Sequence, residues 1–74
     1  MKLRFTAGYP YQSEIRGPLL LSVARATLDA SGIRSEIITV KGVERVRAWA
    51  QGYGMVLDTF GDLETVINGG IISQ

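Results

Sequence analysis

Neither cysteine nor histidine occurs in this chain of 74 residues. A fold of that length cannot be stapled by a disulfide or a structural zinc ion, so it depends on its hydrophobic core. The same composition excludes several functions, because no thiolate is present for thiol–disulfide exchange and no imidazole to activate a serine. The carboxylates at Asp58, Asp62 and Glu64 lack the Gly-centred spacing of a calcium loop. We therefore predict no catalytic residues, no metal ligands and no cofactor.

Hydrophobic residues make up 46% of the chain and charged residues 20%, which is typical of a globular domain. The length fits one domain over residues 1–74. The longest apolar run, residues 19–21, is far shorter than the roughly 20 residues of a membrane-spanning helix. The N-terminal residues alternate and contain no hydrophobic leader. We therefore expect a cytoplasmic protein that does not contact a membrane.

The first half of the chain predicts a strand, a helix and a second strand. Residues 2–7 alternate polar and apolar side chains, which is typical of a half-buried strand. Pro18 fits the first turn of a helix over residues 18–31, and Gly32 fits the position just after its end. Residues 34–40 contain several β-branched side chains, which favours a strand. Because a helix would connect the two strands, we expect a right-handed parallel β-α-β unit.

The second half predicts a short helix and a hairpin. Residues 43–51 place apolar and charged side chains on opposite sides of a helix. Residues 55–57 are a candidate for one further short strand. Within residues 65–72, Asn68 and Gly69 separate two apolar runs, which indicates a type I′ turn and a C-terminal β-hairpin. The predicted fold is a small α/β domain of order β-α-β-α-β-β with a mixed sheet.

Four segments in this order resemble the glutaredoxins, the minimal form of the thioredoxin-like fold. Residues 2–7 resemble their first strand. Residues 8–12, Gly-Tyr-Pro-Tyr-Gln, resemble the Gly-Cys-Pro-Tyr-Cys active-site loop, with Tyr9 and Gln12 in place of both cysteines. Residues 28–37 resemble the end of the following helix and the second strand, and residues 66–72 resemble the final hairpin. The resemblance implies a thioredoxin-like scaffold, and the missing thiols imply that it is redox-inactive.

The sequence departs from the glutaredoxin pattern in two places. Residues 16–19, Arg-Gly-Pro-Leu, could occupy the dithiol position instead of residues 8–12, again without a cysteine. The family has a cis-proline before the third strand, where this chain has an acidic or apolar residue at positions 62–64. The resemblance therefore implies a binding groove and no conserved chemistry.

The candidate partner-binding residues are Tyr9, Pro10, Tyr11, Gln12, Arg16, Arg45 and Arg47. The first four form an aromatic loop, and aromatic side chains are common at interface hot spots. The arginines belong to residues 1–47, which hold eight basic and four acidic residues, whereas residues 48–74 hold three acidic residues and no basic one. Arg16 would also support an anion at the helix start beside Gly17 and Pro18.

These observations predict a non-catalytic protein-binding module, an inhibitor or adaptor for example of a phage type. Its partner would be another protein, or a second copy joined through an edge strand as a homodimer. One alternative is nucleic-acid binding through the basic part of the chain, where Lys2 and Arg4 would extend a patch with Arg45 and Arg47. A pI near 8.1 disfavours it. A second alternative is a remnant site for a small ligand such as glutathione.

Overall fold

The computed structural model of the chain describes residues 8–72. In chain order the elements are helix α1 (Gly17–Ala30), strands β1 (Arg34–Val40), β2 (Val43–Ala50) and β3 (Tyr53–Leu57), and helix α2 (Phe60–Ile67). The three strands form one antiparallel sheet in the order β1-β2-β3. The described residues therefore fold as a small α/β unit of order α-β-β-β-α.

Two tight turns connect the strands. Lys41 and Gly42 join β1 to β2 with φ angles of 52° and 79°, and Gln51 and Gly52 join β2 to β3 with φ angles of 56° and 79°. Positive φ at both residues of a two-residue loop defines a type I′ turn, whose twist matches that of the paired strands. Neighbouring strands consequently pair up to the residues that flank each turn.

The helices pack on one face of the sheet and enclose the core. The buried apolar side chains are Ile15, Leu21, Ala24, Leu28, Val46, Ala48, Met55, Leu57, Phe60, Leu63 and Val66. Successive side chains of a strand point to opposite faces of the sheet. In β2 the buried residues Val46 and Ala48 alternate with Arg45, Arg47 and Trp49. These three side chains therefore lie on the face opposite the helices.

Helix α1 begins and ends where the sequence predicts. Pro18 lies in its first turn. Gly32 follows its C-terminus with φ of 75°, and the N–H of Ile33 donates to the carbonyl oxygen of Leu28 at 2.9 Å. This hydrogen bond across a left-handed glycine is the Schellman ending of a helix. The helix predicted at residues 18–31 is confirmed to within one residue at each end.

Helix α2 starts with a reciprocal cap. The hydroxyl of Thr59 accepts the N–H of Asp62 at 3.3 Å, and the Asp62 carboxylate accepts the N–H groups of Thr59 at 3.2 Å and Asp58 at 2.9 Å. These bonds satisfy N–H groups that have no partner within the helix, which makes the pair a capping box. The cap fixes the start of α2 directly after β3.

The C-terminus of α2 explains the Asn-Gly pair in the sequence. Gly69 has φ of 86°, its N–H donates to the carbonyl oxygen of Val66 at 3.1 Å, and the N–H of Gly70 donates to that of Thr65 at 2.8 Å. The two bonds form a second Schellman ending, with Asn68 as the C-cap. A left-handed glycine serves this ending as well as it serves a type I′ hairpin turn.

The predicted order β-α-β-α-β-β is wrong for the described residues. The helix predicted at residues 43–51 is instead strand β2 (Val43–Ala50) followed by a turn residue, and its buried residues, Val46 and Ala48, have the two-residue spacing of a strand. The C-terminal hairpin predicted at 65–72 is the end of α2 and the residues after it. The sheet is antiparallel throughout, not mixed, and contains no parallel β-α-β unit among the described strands. The strands predicted at 34–40 and 55–57 are confirmed, and the strand predicted at 2–7 lies outside the described residues. Within residues 8–72, no helix has the length and apolarity to cross a bilayer.

The cap of α2 gives a test of the corrected fold. Replacing Thr59 by alanine (Thr59→Ala) removes the acceptor for the Asp62 N–H, so we expect the free energy of unfolding to fall by about 1 kcal/mol. Ser22→Ala, on the exposed side of α1, is the matched control and should change it by less than about 0.5 kcal/mol. Urea denaturation measures both. Equal effects of the two substitutions would contradict the start of a helix at Thr59.

Candidate functional site

The segment before α1 docks against the start of α2. The ring of Tyr9 stacks on the buried ring of Phe60, with centroids 4.8 Å apart and planes 15° from parallel. The N–H of Phe60 donates to the carbonyl oxygen of Ser13 at 3.0 Å, and the N–H of Gly61 donates to that of Tyr11 at 2.8 Å. These contacts fix residues 9–13 beside α2, although more than 45 residues separate the two segments in the chain.

A polar cavity of about 420 Å³ lies between this loop and α2. Its lining residues are Tyr11, Gln12, Thr59, Gly61, Asp62, Glu64, Thr65 and Asn68. The volume falls in the range of roughly 300–1,000 Å³ that is usual for ligand sites. Most of the lining side chains carry hydrogen-bonding groups, so the cavity suits a polar occupant.

Glu64 is the unusual residue of the cavity, because only 9% of its surface is exposed. Its Oε1 accepts the phenol O–H of Tyr11 at 2.9 Å. Its Oε2 is buried and has no hydrogen-bond partner among the described residues. A buried acceptor without a donor costs free energy, and the cost is larger for a carboxylate than for a neutral group. Glu64 is therefore an acceptor that the described fold satisfies only in part.

The remaining charge in the lining has the same sign. Asp62 is acidic, and its carboxylate is occupied by the N–H groups of the α2 cap. Among the described residues that line the cavity, none is a lysine or an arginine. The nearest part of the chain therefore supplies no cation to Glu64. Chemically, the cavity offers an acceptor for which residues 8–72 supply no cationic donor in the lining.

The predicted partner-binding residues lie in three separate places. Tyr9, Pro10, Tyr11 and Gln12 form the loop beside the cavity, where Tyr9 packs on the core, Tyr11 is 44% exposed, and Gln12 lines the cavity. Arg16 precedes α1 and forms an exposed ion pair with Glu14 at 3.1 Å. Arg45 and Arg47 are on the sheet face opposite the helices. The structure thus does not bring the loop and the three arginines into one surface.

On the sheet face opposite the helices, two arginines lie beside the ring of Trp49. The guanidinium carbon of Arg34 lies 4.6 Å from the ring centroid of Trp49, and that of Arg47 lies 6.0 Å from it. Gly54 pairs with Trp49 across β2 and β3, and a Cβ there would approach the indole nitrogen to 3.1 Å. Arg45 is ion-paired with Asp58. Arg34 is thus engaged by an aromatic ring and Arg45 by an acid of the same chain, whereas the buried Nε of Arg47 has no hydrogen-bond partner among the described residues.

The residues of α2 at the cavity were missed in the sequence because residues 65–72 read as a hairpin. Two signals could have identified them. Thr59 and Asp62 have the spacing of a capping box just before an apolar segment. Phe60, Leu63 and Ile67 then mark a buried helical stripe, in which Glu64 occupies a position that an apolar side chain normally takes.

The described residues hold no cluster of three acidic side chains that could bind a metal ion. In the part of the cavity lining that the structure describes, no second free carboxylate accompanies Glu64, because the carboxylate of Asp62 is used in the cap. Comparisons of this chain with protein-family models, with curated proteins and with solved structures gave no match.

The tyrosine hydroxyl over Glu64 can be removed without losing the ring. We expect Tyr11→Phe to lower the free energy of unfolding by about 1–2 kcal/mol, because the buried carboxylate then loses its described donor. Tyr53→Phe is the matched control, since Tyr53 is 56% exposed on β3, and it should have almost no effect. Thermal and urea unfolding measure both variants. Indistinguishable stabilities would contradict the Tyr11–Glu64 hydrogen bond.

The unpaired oxygen of Glu64 predicts the opposite effect for a neutral substitution. Glu64→Gln keeps an acceptor for Tyr11 and replaces the buried charge by a neutral amide, which costs less to bury even though its NH2 group has no described acceptor, so we expect an increase of about 1 kcal/mol in the free energy of unfolding. An increase of that size corresponds to roughly 4–8 °C in Tm for a domain of this length. Glu14→Gln, at an exposed position, is the control. A large loss of stability in Glu64→Gln would show that the carboxylate is satisfied.

Proposed function

We propose that this protein is a non-catalytic protein-binding module whose contact surface is the loop of residues 9–12 together with the cavity beside α2. The observation that carries the proposal is the buried carboxylate of Glu64, which retains an unpaired oxygen next to an accessible polar cavity. Buried polar groups in folded proteins almost always have partners. A partner supplied by a second molecule accounts for both the cavity and the unpaired oxygen.

The composition supports binding and not catalysis. The chain has neither histidine nor cysteine, and Asp62, the second acid at the cavity, is held by the N–H groups of the α2 cap. Acid–base catalysis by carboxylates generally needs two groups in separate roles. Glu64 alone offers an acceptor for a hydrogen bond or an ion pair.

The charge and the aromatic content favour a protein over a nucleic acid as the partner. The cavity is lined by acidic and neutral side chains, which would repel a phosphate backbone. Arg16 and Arg45 are ion-paired with acids of the same chain. Tyr11 is an exposed aromatic beside a pocket, which is a common anchor in protein interfaces. A protein that binds a partner without catalysis acts as an inhibitor or as an adaptor. The activity of the partner decides between these two roles.

Self-association is a separate prediction of the same class. Strands β1 and β3 are the outer strands of the described sheet, and outer strands can pair with a second copy. Such a homodimer would leave the cavity beside α2 available, because it lies at the helices and not at a strand edge. Light scattering on the purified chain tests it.

Selection of short random peptides displayed on phage tests the proposed surface. We expect the wild-type chain to enrich peptides whose binding is lost in Gln12→Arg, because an arginine at this exposed position would fill the cavity and face Glu64. Ser22→Arg adds the same side chain on the exposed side of α1 and should retain binding. Loss of binding is measured by titrating the synthetic peptides, with at least about a tenfold increase in Kd expected for Gln12→Arg.

Two results would count against the proposal. Peptides that bind Gln12→Arg and wild type equally would place the binding surface elsewhere. Absence of enriched peptides, combined with salt-sensitive binding of labelled single-stranded oligonucleotides, would favour the nucleic-acid alternative instead.

A further inference from the structure

We propose that the cavity beside α2 receives an arginine side chain of the partner protein, whose guanidinium pairs with the carboxylate of Glu64. This inference rests on the proposed function and names the group that the binding surface recognises. It starts from two observations that are independent of each other. One is the unpaired Oε2 of Glu64 in a side chain that is 9% exposed, and the other is a cavity of about 420 Å³ with no basic residue in its described lining.

The charges in the cavity favour a cationic ligand. A carboxylate forms stronger hydrogen bonds with a cationic donor than with a neutral one, and the difference grows where water is excluded. Asp62 adds negative charge to the lining, so the field in the cavity favours a cation. Arg16 and Arg45 are paired with Glu14 and Asp58, respectively. None of the basic side chains of residues 8–72 lines the cavity, so the described residues supply no cation to Glu64 there.

The access to Glu64 determines the shape of the ligand. Oε2 of Glu64 has almost no accessible surface, and Tyr11 holds Oε1, so a ligand reaches the carboxylate only when the Tyr11 side chain rotates away. Tyr11 is 44% exposed, so the core does not enclose its ring, and the proposal requires its side chain to change rotamer. Rotation removes the donor to Oε1, so the ligand has to satisfy both oxygens. A guanidinium does this with two parallel N–H groups, whereas an ammonium is a compact charge that is harder to dehydrate.

The side chains around the paired guanidinium also suit it. The backbone of Tyr11 stays beside α2, because its carbonyl oxygen accepts the N–H of Gly61, so the rotated phenol ring stays close to the cavity, where a planar cation can stack on its face. Gln12 offers a side-chain carbonyl oxygen to the remaining N–H groups, and it is exposed and unconstrained by burial. The cavity thus provides a carboxylate, an aromatic face and a further acceptor, a set that the planar, bidentate guanidinium of arginine fits better than the compact, strongly hydrated ammonium of lysine.

The test compares three blocked amino acids as probes: N-acetyl-arginine N-methylamide and its lysine and citrulline counterparts. Citrulline has the shape of arginine without the charge. In ¹H–¹⁵N NMR titrations of the whole chain at constant ionic strength, we expect arginine to shift the amide signals of residues 11–12 and 59–68. Citrulline should bind at least about tenfold more weakly, and lysine should be weaker than arginine. This comparison needs no variant, so it does not depend on a substitution that unfolds the chain.

Variants then locate the contact. Glu64→Gln should abolish the arginine-induced shifts while the chain stays folded, and Glu14→Gln, an exposed glutamate near the same loop, should leave them unchanged. Retained binding in Glu64→Gln would overturn the inference, and so would equal binding of arginine and citrulline or of arginine and lysine. Phage-selected peptides that require the cavity but contain no arginine would overturn this inference and leave the proposed function intact. Failure of every peptide and every probe would remove both.

Discussion

The described fold depends on the burial of Phe60. Its side chain is fully buried, Tyr9 stacks on its ring, and its N–H donates to Ser13, so the loop, the core and the start of α2 meet at one residue. Burying a phenylalanine contributes about 1.5–3 kcal/mol, and the aromatic pair adds about 0.5–1.5 kcal/mol. The position of Tyr11 over Glu64 follows from this contact, because the loop is held on one side by Tyr9 and on the other by the backbone bond to Gly61. The cavity is therefore a consequence of how the chain closes its core.

The sequence predicts the elements whose signals have a single meaning. Pro18 and Gly32 mark the ends of α1, and β-branched residues mark β1. Strand β2 is missed because Ala48 and Ala50 favour a helix locally, whereas their small side chains are needed under the helix that packs on the sheet. The turns that define β2 use Lys-Gly and Gln-Gly instead of the Asn-Gly that sequence reasoning expects. The Asn-Gly pair that is present ends α2, since positive φ at glycine serves a Schellman ending and a hairpin turn equally.

About half of the candidate site could be predicted from the sequence. The aromatic loop of residues 9–12 stands out through its tyrosines and proline, and the structure places it at the mouth of the cavity. Arg45 and Arg47 look like part of the same surface in sequence, but the alternation of a strand sends them to the opposite face. Composition alone does not single out Glu64, because a glutamate in a helix is normally solvated. Its place in the apolar stripe of α2 is the one local signal of burial. Its burial depends on the contact of α2 with a loop more than 45 residues away, which no local pattern contains.

The proposed binding role rests on Glu64, the residue at which α2 departs from its apolar stripe. Phe60, Leu63 and Ile67 lie at the helical spacing of a buried stripe, and an apolar residue at Glu64 would complete it. A domain of this length has a small margin of stability and neither disulfide nor zinc ion to enlarge it. An acid that lacks a donor is costly under those conditions, and departures of this kind concentrate at functional sites. In the proposed complex, a cationic side chain of the partner pairs with Glu64, and this pairing would recover the cost that the free chain incurs.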